Sequence, residues 1–372
     1  MPERIRNQRP EECQSTHRMH QLTALNTDAL TLLKRLIATP SFSREEDGTA
    51  ALIEGFFRAR QIPSERLKNN VWAKNRHFNP AKPTLLINSH HDTVRPNTSY
   101  TLDPFAPIER DGKLFGLGSN DAGGCLVALL ATFAHFYDRP AMTHNIIMAA
   151  TAEEEVSGRD GLELLLPELP PISFAIVGEP TDMQLAIAEK GLLVLDCTAH
   201  GVSGHAARNE GENAIYNAIQ DINWLTTYQF PRISPVLGPV KLSVTMINAG
   251  TQHNVVPDVC TFTVDVRVTE QYTLDEVIET IRANIRADVK PRSIRLKPSS
   301  IPADHPIVQA GLALGRHTYG SPTTSDQAVL SCPSLKCGPG HSGRSHSADE
   351  YIFVREIGEG IEGYVQMLEQ VL

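Results

Sequence analysis

Apolar residues recur along this chain in two rhythms, which sort it into elements before any chemistry is considered. Leu22, Leu25 and Leu30 open a helical repeat. A helix is expected over 27–37, with Thr27 or Asp28 near its N-cap and Pro40 ending it. A second is expected over about 48–60, where Leu52, Ile53, Phe56 and Phe57 share one face. Short apolar runs at 71–74, 84–89, 145–150 and 174–177 predict strands. The stretch 123–136 predicts a helix buried by Leu126, Val127, Leu129, Leu130 and Phe133. Strands alternating with helices imply an α/β layered domain with a largely parallel sheet.

Near Lys190 the rhythm changes. Strands are expected at 192–198, 241–247, 261–268 and 293–296, with helices over 213–227 and 274–285. That order, strand-helix-strand-strand-helix-strand, is the ferredoxin-like split βαβ. Pro302 and Pro306 break the chain, and helix–strand alternation returns through 309–319, 334–337 and 354–371. A length of 372 residues also favours two domains. The expected fold is therefore mixed α/β, with a largely parallel sheet flanked by helices built from residues 20–189 and 300–372. A ferredoxin-like α+β domain, 190–299, is inserted in it, and residues 1–19 form a loose extension.

Composition narrows the function classes. Hydrophobic content of 41% and charged content of 21% suit a soluble globular protein. A formal net charge of -9 disfavours nucleic acid or an acidic membrane as partner, because phosphates attract the opposite sign. No apolar run is long enough to span a bilayer. The polar opening 1–20 lacks the apolar stretch of a secretion signal, so the expected location is cytoplasmic. Cys13, Cys125, Cys197, Cys260, Cys332 and Cys337 show no paired spacing and are expected to be free thiols.

Three segments carry the chemistry: 89–94 (SHHDTV), 118–124 (GSNDAGG) and 151–156 (TAEEEV). Each adjoins an apolar run and offers imidazole or carboxylate donors of the kind that hold zinc. Ligands in parallel α/β sheets gather beyond the carboxyl ends of the strands, and His90, Glu154, Glu155 and Glu179 all follow such strands. Two zinc ions carry four positive charges. Three carboxylates, two imidazoles and a hydroxide nearly balance them, and the candidates for such a set are His90, Asp121, Glu155, Glu179 and His346. His341 lies in the same Gly- and Ser-rich loop as His346.

These motifs, in this order, resemble the co-catalytic zinc aminoacylases and carboxypeptidases. That family includes acetylornithine deacetylase, succinyl-diaminopimelate desuccinylase and bacterial glutamate carboxypeptidase. The family's H-x-D-x-V matches His90 to Val94, its S-x-D-x-K/G-G matches Ser119 to Gly124, and its D/E-E-E matches Glu153 to Glu155. Its G-E-P-T matches Gly178 to Thr181, and its late H-x-x-x-E matches His346 to Glu350. The resemblance implies that His90 and Glu179 hold one metal, Glu155 and His346 the other, and Asp121 both. It implies Glu154 as general base, Asp92 as the residue orienting His90, and a cis peptide at Asp121–Ala122. Arg95 departs from the pattern, standing where the family usually has Pro.

For the inserted domain the resemblance implies a lid and dimerisation role. His205 would reach the active site of a partner subunit and polarise the scissile carbonyl. Asn254 and Arg267 would contact the substrate's oxygen and α-carboxylate, the arginine fork suiting a carboxylate. Asp326 would support the acyl-side pocket, and Glu350, His341 and Arg344 add polar groups near the substrate.

The expected activity is hydrolysis of an N-acylated amino acid by a homodimer with two Zn2+, with Co2+ or Mn2+ as further candidates. N-acetylornithine or N-acetylcitrulline in arginine biosynthesis is the first choice. N-succinyl-ornithine, N-succinyl-citrulline, N-succinyl-diaminopimelate or a dipeptide are the alternatives, and a catalytically silent binding dimer is the reading of another class.

Overall fold

The structure, a computed structural model, describes residues 10–208 and 210–372. The chain divides into two compact units. The first holds the chain up to Ala186 together with Pro302–Thr318 and Cys332–Leu372, and the second holds Ile187–Ile301 with Tyr319–Ser331. Tyr319–Ser331, and with it Asp326, thus groups with the inserted segment and not with the flanking one.

In the first unit, strand Thr84–His90 lies between Asn145–Thr151 and Phe174–Val177 and runs parallel to both. Ser334–Lys336 continues the parallel set beside Phe174–Val177. Asn70–Lys74 pairs antiparallel with Asn145–Thr151, and Glu65–Leu67 closes that edge. Every residue of Thr84–His90 and Asn145–Thr151 is buried, as expected of parallel strands covered on both faces. Helix Gly124–Phe136 is apolar nearly all round, so it too sits inside the layer. The register sets His90 opposite Thr151 and Asn88 opposite Val177. The three parallel strands therefore release their chains at one edge, and the segments following them become neighbours.

The first helix runs Pro10–Ile37, starting well before the expected Thr27. Thr27 and Asp28 do not cap it. The Thr27 hydroxyl donates to the Thr23 carbonyl one turn back, and Asp28 pairs with Arg60, so both polar groups have partners within a continuing helix. Of the expected loose extension, 10–19 belongs to this helix and 1–9 lies outside the described residues. Among the described residues, Cys125, Cys197, Cys260, Cys332 and Cys337 are free thiols. No helix among them is long and apolar enough to cross a membrane.

The second unit is an antiparallel sheet in the order Lys241–Ala249, Val259–Val268, Gly191–His200, Asp288–Pro291. With helices Ala214–Thr227 and Leu274–Arg282 between strands, this is the ferredoxin-like arrangement. Burial alternates strictly along Gly191–His200, so one face packs Leu193, Leu195 and Cys197 into the core with Val264, Val277 and Ile281. The fourth strand is Asp288–Pro291 and not 293–296. The preceding helix, opened by a capping box at Thr273 and Glu276, stops at Arg282, three residues before the expected end, and the next strand begins correspondingly earlier.

Asp221 ties this unit together. It is buried, and its carboxylate accepts the backbone N–H groups of Arg286 (3.0 Å) and Ala287 (2.9 Å). Hydrogen bonds to a charged acceptor contribute about 1.5–3 kcal/mol, and a buried donor left unpaired costs a similar amount. Asp221→Ala should therefore lower unfolding stability in urea by about 2–3 kcal/mol. An unchanged denaturation midpoint would show that Asp221 does not hold the unit together.

Candidate metal centre

His90 ends its strand with the imidazole almost fully buried. Its Nδ1 lies 3.0 Å from the carbonyl oxygen of Asp92, so an Nδ1–H tautomer leaves Nε2 as an electron-pair donor. Nε2 faces Asp121 Oδ1 at 3.4 Å, and Glu154 Oε2 and Glu179 Oε1 at 3.9 Å each. The other oxygen of Asp121, Oδ2, lies 3.7 Å from His346 Nε2, which in turn sits 2.9 Å from Glu155 Oε2. One carboxylate thus faces two imidazoles through its two oxygens. The ligand atoms of His90, Asp121 and Glu155 lie within 4.8 Å of one another, as do those of His90, Glu154 and Glu179.

Local backbone explains these placements. Asp121 lies in the turn 118–123, which Gly118 enters with φ 75°, a left-handed conformation that suits glycine. The peptide Asp121–Ala122 is cis, as the resemblance implies. Gly178 precedes Glu179 where a Cβ would lie 2.7 Å from Leu129 Cδ1 and 3.1 Å from Ser89 Cβ, so the strand end can approach the helix only without a side chain.

Asp92 links two of the segments. Its carboxylate accepts the Ser43 hydroxyl at 2.7 Å and the backbone N–H groups of Glu154 and Glu155 at 3.1 Å each. The same residue thus orients His90 through its carbonyl and through its carboxylate, whose Oδ1 lies 3.4 Å from Nδ1, and the carboxylate also holds the acidic loop. His91 points elsewhere, to the Thr49 hydroxyl and the Asn69 carbonyl, and burial pushes its pKa down to about 4. His346 rather than His341 faces the cluster, because the His341 ring accepts the N–H of Gly343 and lies 3.7 Å from Asp182. Arg344 is also turned away, both of its terminal nitrogens donating to Glu356.

The electrostatics fit a cation site. Asp92, Asp121, Glu154, Glu155 and Glu179 crowd two imidazoles, and burial followed by the Asp121 charge pushes Glu179 up to about 8. The hydrogen bond to Glu155 is the largest cause raising His346 to about 9. For His90, burial works downward, but Asp121 and Asp92 outweigh it and hold the imidazolium well above its usual range. Carboxylate oxygens and imidazole nitrogens in this ratio suit zinc and its divalent neighbours, whose charge would offset the surplus.

Glu350 is not open to solvent: it is 2% exposed, and its carboxylate meets the backbone of the Asp121 turn. His205, Asn254, Arg267 and Asp326 belong to the second unit. The His205 side chain is exposed and its Nδ1 accepts the Ala207 N–H. Asn254 is exposed, and Asp326 opens a short 3-10 turn. The Arg267 guanidinium is gripped by both oxygens of Asp265, at 2.9 and 3.1 Å. Ser43 and Asn120 escaped the sequence reading. Each acts through a single hydrogen-bonding group in a loop, which leaves no periodic signal.

Asp92→Ala should reduce zinc affinity about 10–100-fold, the usual cost of removing a group that orients a ligand. Titration of the metal-free protein with zinc reads this directly, and an unaltered binding isotherm would remove Asp92 from that role.

The family model described as peptidase family M20/M25/M40 matches residues 86–370. An acetylornithine deacetylase of Proteus mirabilis (strain HI4320) is 29% identical over 91% of this chain and 95% of its own length. Among solved structures, aminopeptidase PepT of Bacillus cereus superposes with a TM-score of 0.77 at 18% identity, covering 93% of this chain and 98% of that one. The YXEP protein of Bacillus subtilis, a dinuclear metal-binding peptidase of the M20 family, gives 0.71 at 17% identity over 93% and 98%.

Proposed function

The chain belongs to peptidase family M20/M25/M40, a family of metal-dependent hydrolases, and from that premise we propose that it cleaves the amide bond of a small N-acylated amino acid. The observation that carries this is the Asp121 carboxylate, aimed by one oxygen at His90 and by the other at His346. In the proposed centre His90 and Glu179 would hold one divalent cation, Glu155 and His346 a second, and Asp121 would serve both, with Zn2+ first and Co2+ or Mn2+ as substitutes. When bound, such cations polarise a carbonyl and lower the pKa of water to near ~7.

The chain's own residues do the rest. Glu154, whose Oε2 lies 3.9 Å from His90 Nε2, is the general base: it takes a proton from the attacking water and returns it to the leaving amine. Its neighbour Glu155 points to His346 instead, so adjacent carboxylates serve different tasks. Asp92 keeps both in place through their backbone N–H groups. In the second unit, Arg267 with Asn254 is assigned the α-carboxylate and carbonyl of the substrate, His205 the scissile oxygen, and Asp326 the acyl side.

N-acetylornithine or N-acetylcitrulline is the substrate proposed first, with a role in arginine synthesis, and the likeness to an acetylornithine deacetylase supports N-acetylornithine. Succinyl forms of ornithine, citrulline or diaminopimelate, and dipeptides, share the α-carboxylate and remain the competing substrates. A homodimer through the second unit is supported by exposed apolar side chains: Met246 and Ile247 on an edge strand, Tyr216 and Ile219 on helix Ala214–Thr227.

Glu154→Gln should bind metal as the wild type does yet lose about 10²–10⁴-fold in kcat, measured on acetyl and succinyl forms of ornithine, citrulline and diaminopimelate. Turnover that survives this change would remove Glu154 from the base role. Absence of chelator-sensitive turnover by the wild type on every compound would favour a silent binding dimer. Mixing His205→Ala with Glu154→Gln protein should restore part of the activity through hybrid dimers. No recovery would mean that each subunit works alone.

A further inference from the structure

We propose that Glu350 is a positioning residue for the bridging carboxylate, fixing the backbone turn from which Asp121 is aimed at both imidazoles. The proposal rests on the metal-centre reading above. Glu350 Oε2 accepts the N–H of Gly118 at 3.0 Å, and Oε1 accepts the N–H groups of Asn120 and Asp121 at 2.8 Å each. Three backbone N–H donors thus converge on the two oxygens of one buried carboxyl group. The backbone carbonyl of Glu350 also accepts the Gly116 N–H at 3.0 Å, so the residue holds the approach to the turn as well as the turn itself.

The same residue keeps Asp121 in register with His346. Asn120, pinned through its N–H by Glu350, is joined to His341 at both ends of its amide. Its Oδ1 accepts the His341 N–H at 3.1 Å, and its Nδ2 donates to the His341 carbonyl at 3.2 Å. On the other side of the His346 loop, Asp349 accepts the N–H groups of Thr101 and Leu102 at 2.9 Å each. The loop carrying His346 is thus fastened at both flanks, and the Asp121 turn is fastened to it. A substrate contact, the sequence expectation for Glu350, needs a carboxylate oxygen free and facing solvent. Here both oxygens are taken and the side chain is buried.

The test replaces Glu350 by Gln and by Asp in the full chain. Gln brings an N–H2 group against backbone donors, and Asp is too short to reach all three. Three measurements follow: calorimetric titration of the metal-free protein with Zn2+, steady-state kinetics on the best N-acyl amino acid, and circular dichroism of the metal-free form. Zinc affinity for at least one of the two sites should fall about 10–100-fold in both variants, with kcat falling by a similar factor. KM should stay within about threefold, because uniform substrate binding is untouched, and the metal-free variants should remain folded. A raised KM with zinc binding and kcat intact would return Glu350 to substrate contact and overturn the proposal. So would metal-free variants that are unfolded, since Glu350 would then hold the fold and not the centre. A wild-type chain that binds no zinc takes the metal-centre reading down instead, and that titration is run first.

Discussion

Two imidazoles from opposite ends of the first unit's sequence converge on the two oxygens of Asp121, and the arrangement of the centre depends on that shared carboxylate. His90 comes from a strand end and His346 from a loop near the C-terminus, so neither can set the other's position through local chain geometry. A carboxylate can address two cations at once, one through each oxygen, while contributing negative charge to both. Every nearby element has the job of holding that group at the right height.

Packing so many acids at one sheet edge is unfavourable unless something cationic is present. Burial raises Glu179 and sets it against Asp121, while the imidazoles are drawn toward their charged form. Divalent cations would resolve this conflict in a way that protons on scattered groups do not, because each ion would satisfy several oxygens together. The carboxylates that do not face the ions, Asp92 and Glu350, have a different solution. Each is met by two or three backbone N–H groups of the loops that carry the ligands. Acidic side chains thus stand here in two settings, facing the candidate metal centre or accepting backbone N–H groups that shape loops.

The second unit shows how ordinary folding rules suffice away from such a site. Strict burial alternation on Gly191–His200, a capping box at Thr273 and a buried Asp221 bridging helix and loop each satisfy a local requirement. The exposed apolar residues of its edge strand are the exception, and a pairing surface is the common reason for leaving such groups in water.

His90, Glu154, Glu155 and Glu179 were legible in the sequence, because a strand followed at once by an acid or a histidine is a local pattern, whereas the roles of Asp121 and His346 came from the family resemblance. The parallel α/β sheet and the ferredoxin-like order were legible for the same reason, since period and alternation are properties of neighbours along the chain. The start of the first helix was not. Thr27 and Asp28 have the composition of a cap, but backbone that continues through them to Pro10 gives their polar groups other partners. Nor could sequence separate His341 from His346, expose Arg344 as the partner of Glu356, or find Ser43 beneath Asp92. Those outcomes depend on which donor meets which acceptor in space, at separations along the chain that follow no period, and only the folded chain brings the two together.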